Sequence, residues 1–79
     1  MECEIKYFGL IGEKLEISSE RININDLTVD GLKLKEVFIK RYPILKDMTF
    51  QIAINGKIKD ELTEEQYISI ALLPPFAGG

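Results

Sequence analysis

Both ends of this chain alternate apolar and polar residues, and one stretch between them carries helical spacing. In Glu2 to Phe8, the residues Cys3, Ile5 and Tyr7 fall on one side and Glu2, Glu4 and Lys6 on the other. In Tyr67 to Leu73, the residues Ile68, Ile70 and Leu72 share a side. Period-two alternation marks a strand with one face on a core and one toward water, so both ends are committed to a sheet. Leu73 falls off the Ile68, Ile70, Leu72 side; periodicity leaves interface and core as equal readings of it.

The middle supplies the rest of the sheet and its cover. Gly9 and Gly12 bracket a turn or a short helical turn. Leu15 to Ile24 then reads as a second strand in two alternating pieces, with a bulge at the serines, paired back on the first. Thr28 or Asp30 can cap a helix whose apolar positions Leu34, Val37, Phe38 and Tyr42 follow i, i+3, i+4 spacing, and Pro43 ends it. Its Lys33, Lys35, Glu36 and Lys40 read as a solvated face. Phe50, Ile52 and Ile54 alternate in a third strand, and Asn55-Gly56 is a tight-turn signal that folds a short strand, Lys57 to Lys59, back on it. Asp60 to Gln66 reads as an acid-rich loop with Leu62 tucked in. The order strand, strand, helix, strand, short strand, strand gives an α+β domain, a mixed four- to five-stranded sheet with one main helix packed on one face. The ubiquitin-like β-grasp has this order. With the last strand central, its C-terminal end points out of one rim.

Composition removes most other functions. A chain of 79 residues makes one domain and buries only about 60% of its unfolded surface, too thin a core for a deep catalytic pocket. Its 46% apolar content favours folding, and a net charge of −3 disfavours nucleic acid and anionic membranes while suiting a partner with a basic face. No secretory pattern or membrane-length apolar run is present, and the expected location is cytoplasmic. The single cysteine, Cys3, reads as a small core residue, and its solitude removes internal disulfides and cysteine-based metal sites. There is no histidine, which removes Ser/His and Cys/His nucleophiles and His-ligated zinc. Gly9 to Gly12 lacks the Gly-Lys-Ser/Thr ending of a phosphate loop. The carboxylates Asp60, Glu61, Glu64 and Glu65 fit solvation better than acid/base work. Phe8, Phe38 and Phe50 occupy core-like positions, leaving Tyr67 and Phe76 as aromatic partner contacts.

What remains is the terminus, Pro74-Pro75-Phe76-Ala77-Gly78-Gly79. A Gly-Gly ending arises by chance at roughly 0.5%. Two prolines favour an extended course, and the residues after Phe76 have almost no side chain, so residues 74–79 read as a flexible tail on a 1–73 domain. Six residues reach roughly 20 Å, enough to enter a tunnel in another protein. The candidate reactive group is the Gly79 carboxylate.

The run Ile70-Ala71-Leu72-Leu73-Pro74-Pro75-Phe76-Ala77-Gly78-Gly79 resembles the C-terminal signature of the MoaD family, the small subunit of molybdopterin synthase. Weaker similarity covers Ile5-Lys6-Tyr7-Phe8, Arg41-Tyr42-Pro43 and Ala53-Ile54-Asn55-Gly56; family members usually place an Asp-Gly-Asp-like turn where this chain has Gln66-Tyr67-Ile68. The resemblance implies a sulfur carrier that binds no cofactor itself. An E1-like (MoeB-like) activating enzyme would use ATP to adenylate Gly79, and a sulfur donor would displace AMP to leave a thiocarboxylate. The tail, Pro74 to Gly78, would carry it into a MoaE-like large subunit, where the catalytic side chains lie. There sulfur passes to the cyclic pyranopterin monophosphate precursor. The resemblance also implies that Ile58 and Leu73 flank the tail root and pack on both partners. Three alternatives stand beside it: a ThiS-like carrier for thiazole synthesis, which the Pro74-Pro75 pair disfavours; a ubiquitin-like modifier joined to proteins through Gly79; and an interaction domain whose tail is incidental.

Overall fold

The structure, a computed structural model, describes residues 1–62 and 68–75. Among them, five strands form one sheet: β1 (Glu2–Tyr7), β2 (Ser19–Asn23), β3 (Gln51–Ile54), β4 (Lys57–Ile58) and β5 (Ser69–Leu73). Three helices intervene, α1 (Leu10–Leu15), α2 (Ile24–Leu27) and α3 (Leu34–Arg41), with a 3-10 turn at Pro43–Asp47. The strand order is β2-β1-β5-β3-β4; β1 and β5 run parallel and the other neighbours antiparallel. The final strand is therefore central, which meets the condition under which its C-terminal end points out of one rim. Register fixes the faces, because side chains alternate along each strand. Ile5 sits beside Ile70, Ile70 beside Ile54, and Leu72 between Tyr7 and Ile52. All are buried, and α3 lays Leu34, Val37 and Phe38 on them. Cys3 belongs to this core, and its burial pushes the thiol up, so it stays protonated and inert.

Several local expectations are corrected. The second strand is shorter than Leu15 to Ile24: Leu15 ends α1, and β2 pairs from Glu2↔Asn23 to Lys6↔Ser19 in unbroken register, without a bulge. Residues from Ile24 form a separate helical turn, α2, capped by the Asn23 side chain accepting from the Asn25 N–H at 2.9 Å. The helix α3 is capped by neither Thr28 nor Asp30. Thr28 instead donates its hydroxyl to the Ile24 carbonyl at 3.0 Å, and α3 starts at Leu34. Asp60, read as a solvated loop acid, accepts there: its carbonyl from the Leu34 N–H at 3.0 Å, its carboxylate from the Lys35 N–H at 2.9 Å. Lys35 is half-buried rather than fully solvated, its ammonium 5.0 Å from the Phe50 ring centre. Asn55 and Gly56 carry positive φ, 49° and 85°, and close the β3–β4 hairpin as expected. Leu62 is half-buried against the core. The expected strand start at Tyr67 and the loop residues Thr63 to Gln66 lie outside the described residues.

Candidate functional site

Strand β5 is held on both flanks, by β1 and β3, up to the point where the prolines begin. Its last pairings are Gln51↔Leu73 and a bond from the Phe8 N–H to the Leu72 carbonyl at 3.1 Å. Proline has no N–H to continue a ladder, so the sheet releases the chain at Pro74. Pro74 is half-buried and Pro75 exposed. They form one wall of a cleft of about 300 Å³ whose other walls are Leu10 and Ile11 of α1 and Asp47, Met48 and Thr49 behind the 3-10 turn. Phe76, Ala77, Gly78 and Gly79 lie outside the described residues.

Around this root the surface is apolar. The sheet face opposite α3 carries Ala53 and Ala71 side by side, with Ile58 opposite Ala53 and Leu73 two residues beyond Ala71. Ile58 is 60% exposed and Leu73 half-buried. The structure thus puts Ile58 and Leu73 on one face, roughly 12 Å apart from strand spacing and rise. Leu73 lies off the core side, while Ile68, Ile70 and Leu72 are buried.

Phe8 belongs with them. It was expected in the core, yet it is 43% exposed. The signal was present in the alternation: with Cys3, Ile5 and Tyr7 inward, Phe8 continues the Glu4, Lys6 side. Leu10, 54% exposed, adds a further apolar side chain at the rim.

The titratable groups with shifted protonation sit elsewhere, at the β1–β2 edge. Tyr7 donates its hydroxyl to Glu20 Oε2 at 2.5 Å and Tyr42 donates to the same oxygen, while Arg41 Nη2 stands 3.6 Å from Glu20 Oε1. Burial first, then the Glu20 hydrogen bond, pushes both phenols up. A carboxylate already accepting two hydroxyls beside a guanidinium is an internal tie. Among the described residues, no group of three His, Cys, Asp or Glu side chains is placed to hold a metal ion, and no helix is long and apolar enough to cross a membrane. The arrangement that can act on a partner is the rim: a chain end leaving the centre of a sheet through an apolar collar.

No family model and no curated protein matches the sequence. Solved structures do. A candidate molybdopterin converting factor, subunit 1, from Pyrococcus furiosus superposes with a TM-score of 0.70 at 20% identity, covering 95% of this chain and 98% of that one. SAMP1 from Haloferax volcanii superposes with a TM-score of 0.65 at 21% identity, covering 100% of both chains. The fold is the ubiquitin-like β-grasp. Identity at this level establishes architecture alone.

Proposed function

We propose that this chain is a sulfur carrier, the small subunit of a molybdopterin synthase, with residues 1–73 as its domain and residues 74–79 as the tail that carries sulfur. The observation that supports it most is the position of the root. Pro74 leaves the end of a central strand at a rim flanked by Phe8, Leu73 and Ile58, and it is followed by a sequence that narrows to Gly78-Gly79. The fold shared with the Pyrococcus furiosus protein agrees with this reading.

The chemistry follows from what a carboxylate lacks. It is a poor acyl donor and a poor nucleophile. A Gly79 carboxylate oxygen attacks the α-phosphorus of ATP on an E1-like, MoeB-like enzyme; pyrophosphate leaves and an acyl-adenylate remains. Hydrosulfide attacks the carbonyl carbon, AMP leaves, and one proton is released as the thiocarboxylate forms. That soft sulfur is then offered to the cyclic pyranopterin precursor inside a MoaE-like large subunit. This chain contributes the docking collar, the reach and the terminus; the nucleotide and catalytic side chains belong to its partners.

Intact mass after incubation with ATP, the activating enzyme and sulfide tests the proposal. The expected gain equals the replacement of one oxygen by sulfur. A second reading, a modifier joined through Gly79, uses the same fold and terminus; covalent conjugates to other proteins in place of the mass gain would favour it. Deleting Gly79 should abolish sulfur transfer and leave stability unchanged, since one terminal glycine buries little apolar surface. Full transfer by the truncated chain would overturn the proposal.

A further inference from the structure

We infer that the turn between β1 and α1 is a seat for the tail root, and that Gly9 is the positioning residue that sets where Pro74 leaves the sheet. For its consequence in catalysis, this rests on the sulfur-carrier reading. Gly9 has φ 58° and ψ −136°, a combination open to glycine and strained for L-residues. A Cβ built on Gly9 would stand 3.4 Å from Pro74 Cγ and 3.9 Å from Cδ, so the bare α-carbon faces the proline ring. Gly12 fixes the same turn from the other side. A Cβ there would come within 2.7 Å of the Tyr7 carbonyl oxygen, so only glycine lets α1 lie this close to the end of β1.

The turn is tied to β5 as well. The Phe8 N–H donates to the Leu72 carbonyl at 3.1 Å, and the Gly9 carbonyl accepts from the Glu13 N–H at 3.3 Å. Phe8 is thus pinned to β5 and Gly9 to α1, and Pro74 stands beside Gly9 where the two meet. Leu10, Ile11 and Met48 close the cleft beyond it. The root is thus held on one side by a glycine turn and on the other by an apolar cleft. The two glycines lack the residues of a phosphate loop; a place for the Pro74 ring explains Gly9, and the close approach of α1 to the Tyr7 carbonyl explains Gly12.

The direction of a tail matters because its far end must meet a reactive phosphorus. A misplacement of about 1 Å can cost about 100-fold in rate. An L-residue at position 9 should swing the turn away from its conformation and re-aim the root, leaving the apolar face of Phe8, Leu73 and Ile58 free to dock. The loss should appear in kcat, with KM preserved.

The experiment uses full-length chains made by chemical synthesis, wild type, Gly9→Ala and Gly9→D-Ala. D-alanine accepts the mirror of φ −58°, ψ 136°, an ordinary extended conformation, and directs its methyl off the Pro74 side. Two measurements are made on each. Nuclear Overhauser contacts from position 9 to the Pro74 ring, read from the α-protons and in Gly9→Ala also from the methyl that takes the facing position, should be present in wild type and the D-Ala chain and lost in Gly9→Ala. ATP–pyrophosphate exchange with the activating enzyme should show kcat about ten-fold lower in Gly9→Ala, KM within about two-fold, and recovery in the D-Ala chain. Pro74→Gly should lower kcat similarly, and adding Gly9→Ala to it should lower it no further, which keeps the test sound if Gly9→Ala alone folds poorly. The inference is overturned by absent Overhauser contacts in wild type, by unchanged kcat in Gly9→Ala, by a loss confined to KM, or by no recovery with D-alanine. Contacts present but no exchange in wild type would support the seat and overturn the carrier reading.

Discussion

The two faces of the sheet use apolar side chains for opposite ends. On the α3 side, Phe38 is fully buried and Ile5, Ile70 and Leu72 beneath it are fully buried too. On the other side Ile58 is 60% exposed, with Leu73 half-buried and Phe8 43% exposed at the rim. A closed apolar face stabilises the fold through area removed from water, whereas an open one holds that free energy in reserve for a partner. The contrast says where stability and contact can be changed independently. Phe38→Ala should give the largest effect, a loss of about 3–5 kcal/mol from the cavity and lost transfer energy. At about 0.05–0.15 kcal/mol of stability per residue, a domain of this size holds roughly 4–12 kcal/mol in all, so the loss removes a large share of it. Urea unfolding measures this; a loss below about 1 kcal/mol would break the contrast.

The mirror experiment acts on the open face. Ile58→Asp should change stability by less than about 0.5 kcal/mol, as surface substitutions do. Under the proposed function it should weaken binding to the activating enzyme and to the large subunit by about 10- to 100-fold, within the range of a lost interface anchor. Titration calorimetry against each partner reads the affinity, and urea unfolding the stability. An unfolded variant would place Ile58 with the core; unchanged affinity would remove it from the interface.

Which face each residue belongs to was largely legible, because strand parity is a local property. Cys3, Ile5, Ile70 and Leu72 were assigned inward and are buried, and the Asn55-Gly56 turn formed where its chemistry required. The errors cluster where chemistry and parity disagree or where the partner is distant. Phe8 was drawn inward by its ring although its position pointed outward. Leu15 belongs to a helix because Gly12 allows α1 to lie on the Tyr7 carbonyl, a contact that no spacing reveals. The candidate site was legible only in part. Its tail stood out by composition, but the collar of Phe8, Leu10 and Pro74 exists only once β1 and β5 lie side by side.

A smaller effect separates the faces by pH. Tyr7 packs edge-on to Phe38 and Tyr42, with ring centres 6.4 and 6.0 Å apart, and gives its hydroxyl to Glu20 at the margin of the covered face. Its phenol is pushed up by burial first and by the hydrogen bond and charge of Glu20 second. In the unfolded chain tyrosine loses its proton near pH 10. Above that the folded chain binds more protons than the unfolded one, so this contribution is complete at neutral pH and is lost as pH rises beyond about 10. Tyr7→Phe should cost about 1.5–3 kcal/mol at pH 7, the scale of a hydrogen bond to a charged group. The difference from wild type should shrink as pH rises above 10. Urea midpoints at pH 7 and pH 10.5 test it; a constant difference would mean that the folded state does not hold the Tyr7 proton more tightly than the unfolded chain.

The smallest effect tests how the covered face is anchored at its far edge. Helix α3 has no acceptor side chain at its N-cap, since a lysine at position 33 offers none, and Glu36 reaches back only to the Lys33 N–H, at 3.5 Å. The first N–H groups of a helix need partners. Asp60 supplies them from 25 residues away, with its carboxylate on the Lys35 N–H at 2.9 Å and its carbonyl on the Leu34 N–H at 3.0 Å. Because Asp60 follows β4, the bond ties the hairpin to the helix that closes the core, which explains why an acid that looked solvated in the sequence is half-buried in the fold. Asp60→Ala removes the carboxylate bond and keeps the carbonyl one. Its expected cost is about 1 kcal/mol, that of a lost helix cap. Asp60→Asn, which retains an acceptor oxygen, should recover most of it, with affinity for both partners unchanged in either variant. Equal losses in the two variants would mean that the charge near the helix N-terminus, rather than the acceptor, holds this edge of the covered face.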